Sequence, residues 1–116
     1  MRRYLALAMA VVPVIAAATP YDGVYRQAAN ADCGLVGVDG GALMIKDGIF
    51  HGVGMQCRME NPVNVTDMDA TLYTFHCSGE DDHWTERALI MNAADSDGII
   101  MLWNGYAFRY EACEAE

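Results

Sequence analysis

Four cysteines, Cys33, Cys57, Cys77 and Cys113, are the residues with the most definite chemistry in this 116-residue chain. Zinc sites draw on closely spaced Cys and His pairs. Here no C-x-x-C occurs and each cysteine lies twenty or more residues from the next, so zinc ligation is not expected. An even count reads instead as two disulfides, provided the chain is exported to an oxidising compartment. Three pairings are possible. Cys33–Cys57 with Cys77–Cys113 is the expected one, each bridge contributing about 3 kcal/mol by restricting the unfolded chain.

The remaining reactive side chains form no catalytic constellation. His51, His76 and His83 are the only histidines, and no two have the i, i+4 spacing of a helical metal site. Ser78 and Ser96 lie outside any G-x-S-x-G context. Glu80 and Glu86 could act as an acid and base pair on a glycoside, but no sequence feature positions them. Asp95-Ser96-Asp97-Gly98 resembles part of a calcium loop, lacks the later bidentate glutamate, and reads as a turn. Asn64-Val65-Thr66 fits a glycosylation sequon. Glu80-Asp81-Asp82, followed by His83 and Trp84, is the strongest candidate binding segment, offering carboxylates to a cation or a basic protein. The expectation is a non-enzyme with no catalytic residues, no metal and no cofactor.

Short β-prone runs must carry these residues, because turn signals recur every 8 to 15 positions. Ile99–Trp103 and Tyr106–Tyr110 flank Asn104-Gly105, a hairpin signature in which both turn positions need positive φ. A two-residue turn opposes Trp103 to Tyr106, Met101 to Phe108 and Ile99 to Tyr110, and these six are expected on the core face. A second hairpin is expected at Asp47-Gly48, with Ile45 opposite Phe50, Leu43 opposite Gly52, and Met44 sharing the outer face with His51. In Ala70–Cys77 the alternation sets Thr71, Tyr73, Phe75 and Cys77 inward. A loop from Ser78 to His83 is expected to lead into Trp84–Asn92, whose Arg87–Met91 stretch fits either a strand buried on both faces or a short helix. Val24-Tyr25 and Val63–Thr66 are further strand candidates. Trp84 and Trp103, with Tyr21, Tyr25 and Tyr73, are candidates for the core or a pocket wall. About seven or eight strands result, an all-β domain built as a small antiparallel up-and-down barrel or sandwich.

The N-terminus has the three parts of a secretion signal: Arg2 and Arg3, an apolar run from Leu5 to Ile15, and Ala16-Ala17-Ala18. The run falls short of a bilayer span of about 20 residues and contains Pro13. Cleavage is expected before Thr19, giving residues 1–18 as signal peptide and 19–116 as a single domain. The chain carries a net charge of −9. Loss of Arg2 and Arg3 leaves five bases against sixteen acids, a charge of −11. Such a surface repels phosphate backbones and anionic lipid, which excludes nucleic acid and membrane as partners. A basic periplasmic protein fits it, bound by a monomer. The alternative is a barrel-type carrier of a small ligand.

The outline resembles a set of small exported alphaproteobacterial proteins of unknown function. It runs Tyr21-Asp22-Gly23-Val24-Tyr25, Cys33, Gly41–Gly52, Cys57, Cys77-Ser78-Gly79-Glu80, Trp84-Thr85-Glu86-Arg87, and Tyr110 near Cys113. The resemblance implies a periplasmic address and a two-disulfide β domain, with no chemistry attached. In architecture the chain is also similar to the periplasmic lysozyme inhibitors, small cysteine-containing β-barrels that bind a basic enzyme. It lacks their serine-glycine-x-arginine-tyrosine loop.

Overall fold

The computed structural model describes residues 18–114. The expected signal, residues 1–18, lies outside them except for Ala18. The described residues form nine strands: β1 (Gly23–Arg26), β2 (Asp32–Val36), β3 (Gly41–Lys46), β4 (Ile49–Gly52), β5 (Met55–Asn64), β6 (Ala70–Gly79), β7 (Asp82–Asn92), β8 (Ile99–Trp103) and β9 (Tyr106–Ala112). β3 to β9 pair as an antiparallel meander, and β1 closes the ring by pairing with both β9 and β3. The product is an eight-stranded up-and-down barrel. The ninth strand, β2, lies parallel to the start of β3 with an irregular register. It approaches so closely that a Cβ on Gly41 would collide with the Leu35 carbonyl oxygen.

The two hairpins marked by their turn residues have the expected registers. Trp103 opposes Tyr106, Met101 opposes Phe108 and Ile99 opposes Tyr110; Ile45 opposes Phe50 and Met44 opposes His51. Leu43 pairs with Tyr25 of β1. Asp47 and Gly48 both take positive φ, as a two-residue turn of type I′ requires. At Asn104-Gly105 only the glycine does so, with φ of 97°, so one positive φ suffices there.

Four expectations are corrected. The disulfides join Cys33 to Cys113 and Cys57 to Cys77, not Cys33 to Cys57 and Cys77 to Cys113. Cys57 and Cys77 are opposed partners on β5 and β6 and point into the core. Cys33 and Cys113 meet where β2 passes the barrel's closing seam. Second, residues 78–83 form no loop. β6 and β7 run on to a two-residue turn, Glu80-Asp81, with Gly79 opposite Asp82. Third, the stretch after Pro62 is no separate strand: Val63 and Asn64 end the ten-residue β5, which bulges between Glu60 and Val63 around Asn61. Fourth, Tyr106 and Phe108 share the core face of their hairpin but are 68% and 44% exposed. Arg87–Met91 is strand, with Ala88 and Ile90 buried and their neighbours turned outward.

Alternation fills the barrel with side chains rather than leaving a lumen. Tyr21, Tyr25 and Tyr73 close its lower end. The Tyr21 hydroxyl shares a hydrogen bond with Thr71, and the Tyr25 hydroxyl donates to the Tyr21 carbonyl at 2.6 Å. Ile45, Phe50, Phe75, Ile90, Ile99 and Met101 occupy the middle, each 2% exposed or less. At the upper end the half-buried Trp103 sets its ring 5.2 Å from Phe75 and 5.7 Å from Phe50 in edge-to-face packing. Two formed disulfides fit an oxidising, non-cytoplasmic environment.

Candidate functional site

The candidate segment Glu80–Trp84 sits at the far end of the β6–β7 hairpin. This hairpin is the longest in the barrel because both strands keep a β-compatible alternation through Ser78 and His83. β8 reaches only as far as Trp103, which opposes Ala88 of β7. Residues 82–87 of β7 therefore stand above the Asn104-Gly105 turn, paired to β6 on one side and to no strand on the other. The projecting hairpin carries the acidic turn at its tip. Glu80, Asp81, Asp82 and His83 are exposed. Among the described residues, the ion pairs join Arg58 to Glu60, His76 to Glu60, and Arg109 to Asp95 and Glu111. None reaches the tip carboxylates.

Trp84 belongs to the opposite character of this hairpin. It faces inward with Cys77, its cross-strand partner, and is half-buried. Two residues on, Glu86 opposes Phe75 on the same face, and its carboxylate accepts the Trp84 indole N–H at 2.7 Å. Trp84 and Glu86 thus continue the inward column of β7 above Ala88. Below them lie Trp103 and the near-parallel rings of Tyr106, Phe108 and Tyr110, with centroids 6.3 and 5.8 Å apart. The upper mouth of the barrel is an aromatic surface with the Glu86 carboxylate inside it, and the acidic turn projects beyond it at the hairpin tip. Burial pushes the Tyr110 phenol up from its ordinary value of 10.0.

The outer face of the same strands gathers all three histidines. Register aligns His51, Gln56, Ser78 and His83 in one row across β4 to β7, and Ile49, Arg58, His76 and Thr85 in the next. Open depressions of about 550 and 590 Å³ follow these rows. His76 sits 3.4 Å from both Glu60 and the Thr85 hydroxyl. Among the described residues no three His, Cys, Asp or Glu side chains converge to hold a metal ion. A third depression, about 710 Å³, opens at the lower end between Pro20, Asp47, Met59, Pro62 and Tyr73. Asn64 of the sequon is exposed, and its side-chain oxygen accepts from Thr71.

Of the five candidate residues, the hairpin brings Glu80 to His83 together at an exposed tip and turns Trp84 away into the mouth. Sequence reasoning missed Glu86 as the partner of Trp84, and Tyr106 and Phe108 as exposed mouth residues. The i, i+2 spacing of Trp84 and Glu86 on a strand was the available signal for the first. The chain matches no protein-family model, no curated protein and no solved structure.

Proposed function

We propose that this chain is an exported acidic module, acting in the periplasm or after secretion, that binds a basic protein through the β6–β7 hairpin. The observation that carries the reading is the projecting tip, where Glu80, Asp81 and Asp82 are exposed and form no ion pair among the described residues. Carboxylates held outward on a paired ribbon are preordered for lysine and arginine side chains, and the chain's net charge of −9 steers a cationic partner to it. Below the tip, Trp84 and Tyr106 offer ring faces and edges to the same cationic side chains. The side-chain-filled barrel axis weighs against the alternative of a small-ligand carrier.

The test is binding to a panel of purified proteins with isoelectric points above about 9, comparing the wild type with Glu80→Gln/Asp81→Asn/Asp82→Asn. The expected result is an affinity that falls steeply with added salt, as exposed charges are screened. The triple variant should bind roughly tenfold more weakly, since each exposed charge pair is worth only about 0.2–1 kcal/mol. Equal affinity of the two proteins at low salt would remove the tip from the reading.

A further inference from the structure

We infer that the bare edge of β7 from Asp82 to Arg87 accepts an extended basic peptide as an added β-strand. The inference rests on the basic-partner reading and specifies how that partner docks.

The edge is defined by hydrogen-bond alternation. Gly79 and Asp82 close the two-residue turn, so the even-numbered residues of β7 direct their backbone groups to β6. The odd-numbered ones face the β8 side, as Ala93 confirms lower down by donating its N–H to Gly98 across the β7–β8 loop. Where β8 stops at Trp103, the N–H and C=O groups of His83, Thr85 and Arg87 have no strand partner among the described residues. An unpaired row of this kind is a template for another chain. Other backbone stretches lacking a strand on one side lie on β2, which pairs with β3 alone, on β5 beyond its pairing with β4, and on β9, whose bare stretch is shorter than that of β7. β1 already pairs with Glu111 and Ala112, leaving only the backbone groups of Ala107 and Arg109.

The side chains bordering the edge specify the occupant. On its inner side are Glu86 and Trp84, and at its head is the Glu80-Asp81-Asp82 turn. On its outer side are Arg87, Thr85 and His83. A strand laid along this edge sends alternate side chains to the two faces. Cationic ones are favoured inward, against Glu86 and the Trp84 ring, and are repelled outward by Arg87. The matching sequence alternates lysine or arginine with uncharged, β-prone residues. A second copy of this chain, carrying the same acidic tip and a net negative charge, is a poor match.

The probe is a blocked octapeptide of alternating lysine and valine, with two analogues N-methylated at every lysine or at every valine. All three have the same charge. A strand added to one edge uses the N–H groups of only one residue set. The expected result is that one analogue binds at least about tenfold more weakly than the parent, since two or more backbone hydrogen bonds are lost, while the other stays within about twofold. Amide exchange at His83, Thr85 and Arg87 should slow on adding the parent peptide, with Ala107 and Arg109 unchanged. Thr85→Pro removes one edge N–H at a position where an edge strand tolerates proline. It should weaken the parent peptide and leave far-UV circular dichroism intact. Equal, salt-sensitive binding of all three peptides would overturn strand addition and leave the acidic-tip reading standing. Basic proteins binding while no peptide does would have the same meaning. Binding of neither would overturn both. Protection of the edge amides that rises with protein concentration, without peptide, would assign the edge to a second copy.

Discussion

Removing the Cys33–Cys113 bridge tests what holds the barrel closed. The bridge spans 80 residues, against 20 for Cys57–Cys77. In the chain-entropy account, a closed loop of 80 residues restricts the unfolded state by about 4.5 kcal/mol, and one of 20 by about 3.3 kcal/mol. Cys33 and Cys113 are half-buried and outside the core cluster, so Cys33→Ala/Cys113→Ala leaves the packed interior unchanged and its cost is nearly all loop entropy. For a domain of this size each kcal/mol moves the melting temperature by about 4–8 °C, so the variant should melt roughly 20–30 °C below the wild type while keeping its strand signal. Cys57 and Cys77 are 0% and 3% exposed, and reductant without denaturant should reach them last. Circular-dichroism melts of the variant, with mass spectrometry of alkylated intermediates during partial reduction, would measure both effects. A melting point within about 5 °C of the wild type, or alkylation of Cys57 and Cys77 first, would refute the assignment of the long bridge as the principal staple.

Phe75→Ala should cost about 3–5 kcal/mol in a urea titration, because Phe75 is fully buried and packs its ring against Phe50, Tyr73 and Trp103; a loss below 1 kcal/mol would mean the upper core is loosely packed. Alkaline titration should couple to unfolding: burial, with Asp22 nearby, pushes the Tyr25 phenol up to about 12, and burial raises Tyr21 and Tyr73 as well. The folded state then holds these protons more tightly than the unfolded chain does, so stability is intact below about pH 10 and is lost as the pH rises through about 12. Phenolate absorbance and a folding signal followed together would check this, and phenols that all titrate near pH 10 without unfolding would contradict it.

The parts of this fold that local sequence encodes are the parts that could be read from it. Asp47-Gly48 and Asn104-Gly105 fix their hairpins because a two-residue turn admits few conformations and sets the register. Thr71, Tyr73, Phe75 and Cys77 declare an inward face by simple alternation. β5 escaped notice because Asn61 and Pro62 interrupt its alternation at the bulge. The disulfide pairing was illegible for a different reason. Cys33 and Cys113 meet only because eight strands curl until the first reaches the last, and that closure is written in no local pattern. The candidate site divides along the same line. The acidic turn was legible as an exposed tip, but which residues border it depends on where neighbouring strands stop.

Strand length therefore matters more to this molecule's surface than side-chain composition does. Trp103 ends β8 at the level of Ala88, and Arg26 ends β1 at the level of Glu111. Had β8 run six residues further, the backbone of His83, Thr85 and Arg87 would be paired, and the mouth around Trp84 and Glu86 would be walled in. Had β1 continued past Arg26, β9 would be covered beside Tyr106 and Phe108. The same aromatic alternation that fills the lower barrel would then have produced a sealed core. Both mismatches fall at the upper end, on either side of the β8–β9 turn, so the accessible backbone edge, the unsealed aromatic face and the unpaired carboxylates occur together. A cationic strand can satisfy all three at once, whereas a small apolar ligand would leave the edge and the acids unmatched.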